Sequence, residues 1–190
     1  TALEDLYLPY KPKRRTKAQI AREHGLQPLA DALLSDPTRQ PESEAAAYLN
    51  EHIADTKAAL DGARAILIEQ FAEDAELVGR LREKLWREAE IRAEVLAGKE
   101  SEGEKFRDYF DHREALCRMP SHRALAVLRG RNEGVLRVFL SYQDDNAPAA
   151  EDAYADTVAA HFGIAERGRA ADEWLRDTVR LAWRGRLFVC

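Results

Sequence analysis

The stretch DTKAALDGARAILIEQFAEDAELVGRLREKLWRE, residues 55–88, repeats apolar side chains at spacings of three and four. That period belongs to a helix with one buried face. Ala59, Leu60, Ala63, Ile66, Leu67 and Phe71 make one stripe, and Asp55 is placed to cap it. Gly62 weakens the stripe without breaking it. Beyond Glu73-Asp74 the pattern resumes with Leu77, Val78, Leu81, Leu85 and Trp86. The spacing predicts one long helix, or two nearly collinear ones with a joint near Asp74. Ile66, Leu67, Phe71, Leu81 and Leu85 are expected to be buried.

Toward the N-terminus, Thr16 caps a helix Lys17–His24, with Gln19 at capping-box spacing. Gly25 stops it in the left-handed conformation, and Pro28 opens a second helix to Leu34. The pair has the outline of a helix-turn-helix. Its second helix, PLADALL, carries no Arg, Lys, Asn or Gln to reach a base edge, so packing or phosphate contact suits it better than sequence reading. Ser35–Pro41 is a loop, and Glu42–Ala54 has a helical pattern.

Toward the C-terminus, Ile91–Leu96 fits helix or strand. Gly98–Gly103 is a turn, and a helix starting at Glu102 or Glu104 carries Phe106, Tyr109 and Phe110 into a core shared with Leu125. Pro120-Ser121 begins a helix that Gly130 closes. Val135–Tyr142 is the best strand candidate. Two further helices, Ala149–Phe162 and Ala171–Arg186, complete the order. The fold class expected is mainly α: a multi-helix N-terminal domain with a helix-turn-helix-like hairpin, a long central helix and at most a short strand pair. A boundary near residue 35 separates the basic segment and hairpin, 1–35, from the helical region 36–190.

Composition agrees, with only 10 Gly and 7 Pro in 190 residues and 33% charged side chains. No apolar run approaches the ~20 residues of a membrane span. Two cysteines, Cys117 and Cys190, make no disulfide framework, which suits a reducing cytoplasm. A start without Met and a stop at Cys190 inside an apolar run are what a fragment of a longer polypeptide would show.

Chemistry is sparse. The five histidines are scattered, and His112 with Cys117 supplies two ligands where zinc needs four. No P-loop, dinucleotide fingerprint or nucleophile elbow occurs. No catalytic constellation is present, so the expectation is a non-enzyme without cofactor or metal. The strongest binding signal is the run KPKRRTK, residues 11–17, in a chain of formal net charge −5. Lys11, Lys13, Arg14, Arg15 and Lys17 suit phosphate contacts, which give affinity without sequence specificity. Tyr7 and Tyr10 offer stacking faces or core anchors. A second cluster holds Arg118, His122, Arg123, Arg129 and Arg131, with Arg137 beyond. Of these, Arg123, Arg129 and Arg131 are candidate phosphate contacts, although Arg123 has a carboxylate alternative in Glu114 or Asp108.

Two blocks carry a family resemblance. LEDLYLPYKPKRRTKAQIAREHGLQPLA, residues 3–30, and KFRDYFDHREALCRMPSHRALAVLRGRNEG, residues 105–134, resemble signatures of the bacterial Tex family of transcription accessory proteins. The segment 174–187 is similar to a third, WL…TV…AWR. The resemblance implies a helical N-terminal domain that continues, in the intact protein, into RNase-H-like, helix-hairpin-helix and OB-fold RNA-binding domains. It implies a cytoplasmic scaffold whose contacts with nucleic acid are weak and sequence-independent. The alternative is a protein-interaction module that docks on RNA polymerase, on other transcription proteins or on the protein's own further domains.

Overall fold

A computed structural model describes residues 15–142 and 147–187. Its helices are α1 (Lys17–Glu23), α2 (Gln27–Ser35), α3 (Pro41–Ala45), α4 (Thr56–Glu73), α5 (Ala75–Glu88), α6 (Ser121–Asn132), α7 (Ala147–His161) and α8 (Asp172–Ala182). Its strands are β1 (Ala89–Val95), β2 (Asp111–Ala115) and β3 (Leu136–Tyr142). The chain divides into two compact units. One joins the chain up to Asp74 with the chain from Val158 onward; the other is Ala75–Thr157. The division drawn at residue 35 falls inside the first unit.

The first unit is helical and its core is the α4 stripe. Ala59, Leu60, Ala63, Ile66, Leu67 and Phe71 are all buried, and Asp55 caps the helix by accepting from Ala58 N at 2.7 Å. The stripe ends at Asp74, whose backbone is extended. Two helices therefore form instead of one, with the joint where the sequence places it. Gly62 is required by closeness: a Cβ there would lie 2.3 Å from Leu26 Cδ1 and 3.3 Å from Ala21 Cβ. The α1–α2 hairpin, turned at Gly25 with φ +81°, buries Ala21, Leu26, Leu29 and Leu33. Its apolar face is thereby used for packing.

Glu42–Ala54 does not form the helix its periodicity suggests. After α3 comes a single 3-10 turn, Ala46–Tyr48, and Leu49 is exposed. Asn50 is the cause. Its side-chain oxygen accepts from His52 N at 2.8 Å, and this local bond competes with helix continuation.

The second unit contains a three-stranded antiparallel sheet of order β2-β1-β3, one strand more than expected. Ile91–Leu96 resolves as the central strand: Ile91 stands opposite Glu114 of β2 and Leu140 of β3. The expected helix after Glu104 is only a 3-10 turn, Glu104–Tyr109, followed by β2. DHREA holds no β-branched residue, so pairing with β1 rather than propensity makes this strand.

One sheet face packs a core of Ile91, Ala93, Phe106, Val127, Val135 and Leu136, with Tyr109 and Phe110 partly buried against it. Leu125 does not join this core. It is 67% exposed, while Val127 of the same helix is fully buried. Gly130 sits inside α6 rather than ending it. A Cβ at Gly130 would meet Leu136 Cδ1 at 2.5 Å and Phe106 Cδ1 at 3.3 Å, so the glycine permits close helix-to-sheet approach. The closing glycine is Gly134, φ +71°. In α5, Leu77 and Leu81 are buried, Leu85 is half-buried and Trp86 is exposed.

Candidate functional site

The cations singled out in the sequence fall in separate places. Lys11, Lys13 and Arg14, with Tyr7 and Tyr10, lie outside the described residues. Arg15 and Lys17 are in the first unit, and Arg123, Arg129 and Arg131 are in the second.

Thr16 organises the first group. Its hydroxyl oxygen accepts from Gln19 N at 3.0 Å, capping α1. The same hydroxyl donates to Glu69 Oε1 of α4 at 2.9 Å. Glu69 is buried, its other oxygen takes a hydrogen bond from Arg22 Nη1, and Arg186 Nη2 stands 3.9 Å from Oε1. Burial alone would push this carboxyl up. The hydrogen bonds from Arg22 and Thr16, with the charges of Arg22 and Arg186, outweigh burial and hold it below its usual range. Arg15 is ion-paired with Glu23 while remaining largely exposed. Lys17 is exposed and has no ion-pair partner among the described residues.

In the second group, Glu114 is the hub. Arg123 Nη1 donates to its Oε1 at 2.6 Å. His112 Nε2 lies 3.2 Å from its Oε2. An ionised carboxylate only accepts, so the imidazole proton of that contact is on Nε2. Tyr109 meets the His112 ring edge-on at 5.4 Å. Burial raises the Glu114 pKa, but the hydrogen bonds from Arg123 and His112 and their charges outweigh burial, and the net direction is down. His112 and Glu114 alternate along β2 and so share a sheet face. Their partner Arg123 comes from the first turn of α6. The cluster ties that helix to the sheet and commits Arg123 to a carboxylate, the alternative already visible in the sequence.

Arg129 and Arg131, by contrast, are exposed on α6 and have no ion-pair partner among the described residues. They share the exposed side of the helix with Leu125 and Leu128. Arg137 stacks over Phe139 at 5.2 Å. Among the described residues, no group of three His, Cys, Asp or Glu is placed to hold a metal, and no helix is long and apolar enough to cross a membrane.

Two participants escaped the sequence reading. Glu69 stands three residues after Ile66 on the buried stripe, and an acid in such a stripe is itself a signal. Arg186 belongs to a π-helical turn, Trp183–Leu187, and nothing in local sequence pairs it with α4.

A family model described as Tex central region-like matches residues 36–190. Over all 190 residues the chain is 65% identical to an uncharacterized protein of Neisseria meningitidis serogroup A, covering 25% of that protein. It is 64% identical to the Transcriptional accessory protein Tex of Neisseria gonorrhoeae, covering 100% of this chain and 25% of that one. To Protein YhgF of Escherichia coli K12 it is 53% identical over 187 residues, 97% of this chain and 24% of the relative. The chain thus spans about a quarter of the length of the curated relatives it matches.

Proposed function

The chain belongs to the Tex family, and from that premise we propose that it is a non-enzymatic scaffold of a transcription accessory protein that contacts nucleic-acid phosphates through exposed cations. The observation that carries this reading is an imbalance. Asp and Glu outnumber Lys and Arg by 34 to 29, yet Lys17, Arg129 and Arg131 have no carboxylate partner among the described residues. In an acidic chain, cations left free in this way suit an anion from outside. Contacts of this kind position a strand without reading its bases. The setting that goes with this role is the cytoplasm.

The test replaces Arg129 and Arg131 together by Gln and measures binding to two unrelated oligonucleotides at two salt concentrations. Binding should weaken equally on both, and the log–log salt slope should fall by roughly 1 for each phosphate no longer neutralised. Parental binding by the double variant would refute the role of α6.

A second reading, docking on RNA polymerase or on the family's further domains, is favoured by Leu125 and Leu128. Both are exposed beside Arg129 on one helix, at 67% and 41%, and arginine is enriched at protein interfaces, whose buried centres are apolar. Leu125→Gln discriminates: it adds no charge beside Arg129, so it should leave oligonucleotide affinity unchanged and weaken a protein contact.

A further inference from the structure

In the first unit, Arg15, Lys17 and Arg186 rim a concavity of about 390 Å³ whose walls are Ala18, Ala65 and Ile68. The cations come from two distant parts of the chain, the approach to α1 and the turn after α8. The walls come from α1 and α4. Nearby negative charge is already taken up. Glu69 is held by Arg22 and Thr16, and Glu23 is held by Arg15. Arg186 reaches Glu69 only at 3.9 Å, and half of its side chain is open to solvent. Lys17 has no ion-pair partner among the described residues. Net positive charge therefore remains at the rim of a hollow with aliphatic walls.

We propose that this hollow binds a nucleoside phosphate. The phosphate sits on Lys17 and Arg186, and the planar base lies against Ile68, Ala65 and Ala18. A bare phosphate would use the rim and leave the walls empty. The volume lies in the range of small-molecule sites, about 300–1,000 Å³, and aliphatic walls suit a base without selecting one. The ligand is either a free nucleotide or one unit of a single strand; both present the same phosphate and base. This inference rests on the phosphate-binding reading above and gives it a ligand class and a place in the first unit.

The test titrates the whole chain with uridine monophosphate, inorganic phosphate and a short single-stranded oligonucleotide. The methyl resonances of Ile68 and Ala65 are followed by NMR. Uridine monophosphate should move both, whereas inorganic phosphate should leave them nearly still. Lys17→Gln should weaken nucleotide binding roughly tenfold or more, as removal of a charge-assisted hydrogen bond does. Ala65→Leu should fill the hollow and abolish nucleotide binding. Lys17 is exposed, so its variant tests the site even if Ala65→Leu misfolds. If the strand binds while Ile68 stays still and Lys17→Gln behaves as the parent, the hollow is overturned and the α6 reading stands. Nucleotide binding at Ile68 without strand binding supports the hollow as a free-nucleotide site and sinks the wider reading. Absence of binding by all three ligands overturns both.

Discussion

Thr16 and Glu69, 53 positions apart, share a 2.9 Å hydrogen bond in which the N-cap hydroxyl of α1 donates to a buried carboxylate of α4. One side chain therefore ends a helix and fixes where that helix docks. Thr16→Ala removes both the cap and the donor. Caps are worth about 0.5–2 kcal/mol, and a hydrogen bond to a charged group about 1.5–3 kcal/mol. The shared geometry puts the expected destabilisation at roughly 2 kcal/mol in urea denaturation. Thr16→Ser keeps the hydroxyl and should cost well under half as much.

Two glycines in helix interiors should respond oppositely to alanine. Gly130→Ala places a methyl 2.8 Å from Leu136 Cγ as well as 2.5 Å from its Cδ1. Overpacking of that kind costs about 1–3 kcal/mol, more than the roughly 1 kcal/mol of helix propensity gained. Gly79 of α5 has open space around the same position, so Gly79→Ala should stabilise by about 0.5–1 kcal/mol. Thermal unfolding of the two variants against the parent checks both signs.

Acid should destabilise the protein through carboxylates that their partners hold below the usual range, Asp172, Glu69 and Glu114 among them. Asp172 accepts from Arg167 N at 2.7 Å, Arg169 N at 2.9 Å and Arg169 Nε at 2.9 Å. Burial raises its pKa, but these bonds and the Arg169 charge outweigh burial and hold it low. Glu69 and Glu114 are held low by their own partners. A carboxyl lowered on folding stabilises while ionised. Its contribution is complete above the unfolded value, about 4, and disappears as pH falls through the lower folded value. Stability should thus be level near neutrality and decline below about pH 4. Asp172→Asn should flatten that acid limb and lower stability at pH 7; an unchanged limb would assign the acid sensitivity elsewhere.

The Glu114–Arg123 pair should behave as structure rather than as a ligand site. A double-mutant cycle with Glu114→Gln and Arg123→Gln should give a coupling of about 1 kcal/mol, discounted for partial exposure. Arg123→Gln should leave oligonucleotide affinity unchanged where Arg129→Gln weakens it. Equal weakening by both would return Arg123 to the binding surface.

Local patterns carried much of the helical part into view. The α4 stripe, the Asp55 and Thr16 caps and the turn at Gly25 are written in neighbouring residues, and they stand as the spacing indicates. The sheet was half hidden. Ile91 sits in a strand whose apolar alternation is short enough to fit helix or strand, and only its pairing with Leu140 settles the choice. His112 and Glu114 share one face only because β2 is a strand, so the cluster at Arg123 could be foreseen as a pair but not as a hub. Leu125 misled for a related reason. Residues 125, 127 and 128 of α6 are all apolar, and the direction of the core is set by Gly130 and Leu136, not by the helix itself. For the candidate hollow, Arg15 and Lys17 were legible as a basic run. Arg186 was not, because it lies near the opposite end of the chain and no local rule links the two.

The first unit is interrupted in sequence by the whole of the second. Phe71 and Phe162 mark the interruption from its two sides, with ring centroids 4.3 Å apart, and His161 reaches Asp74 at 3.2 Å. A ribosome releases the chain from its N-terminal end. Phe71 is therefore made long before its stacking partner exists, and α4 waits with its stripe uncovered by α8 until the intervening unit has been synthesised. If that unit folds first, it replaces a long open chain between residues 74 and 158 and shortens the effective loop that the Phe71–Phe162 contact must close. Since closure entropy grows with loop length, an inserted unit that has already folded would lower the cost of closing the unit whose two segments flank it in sequence.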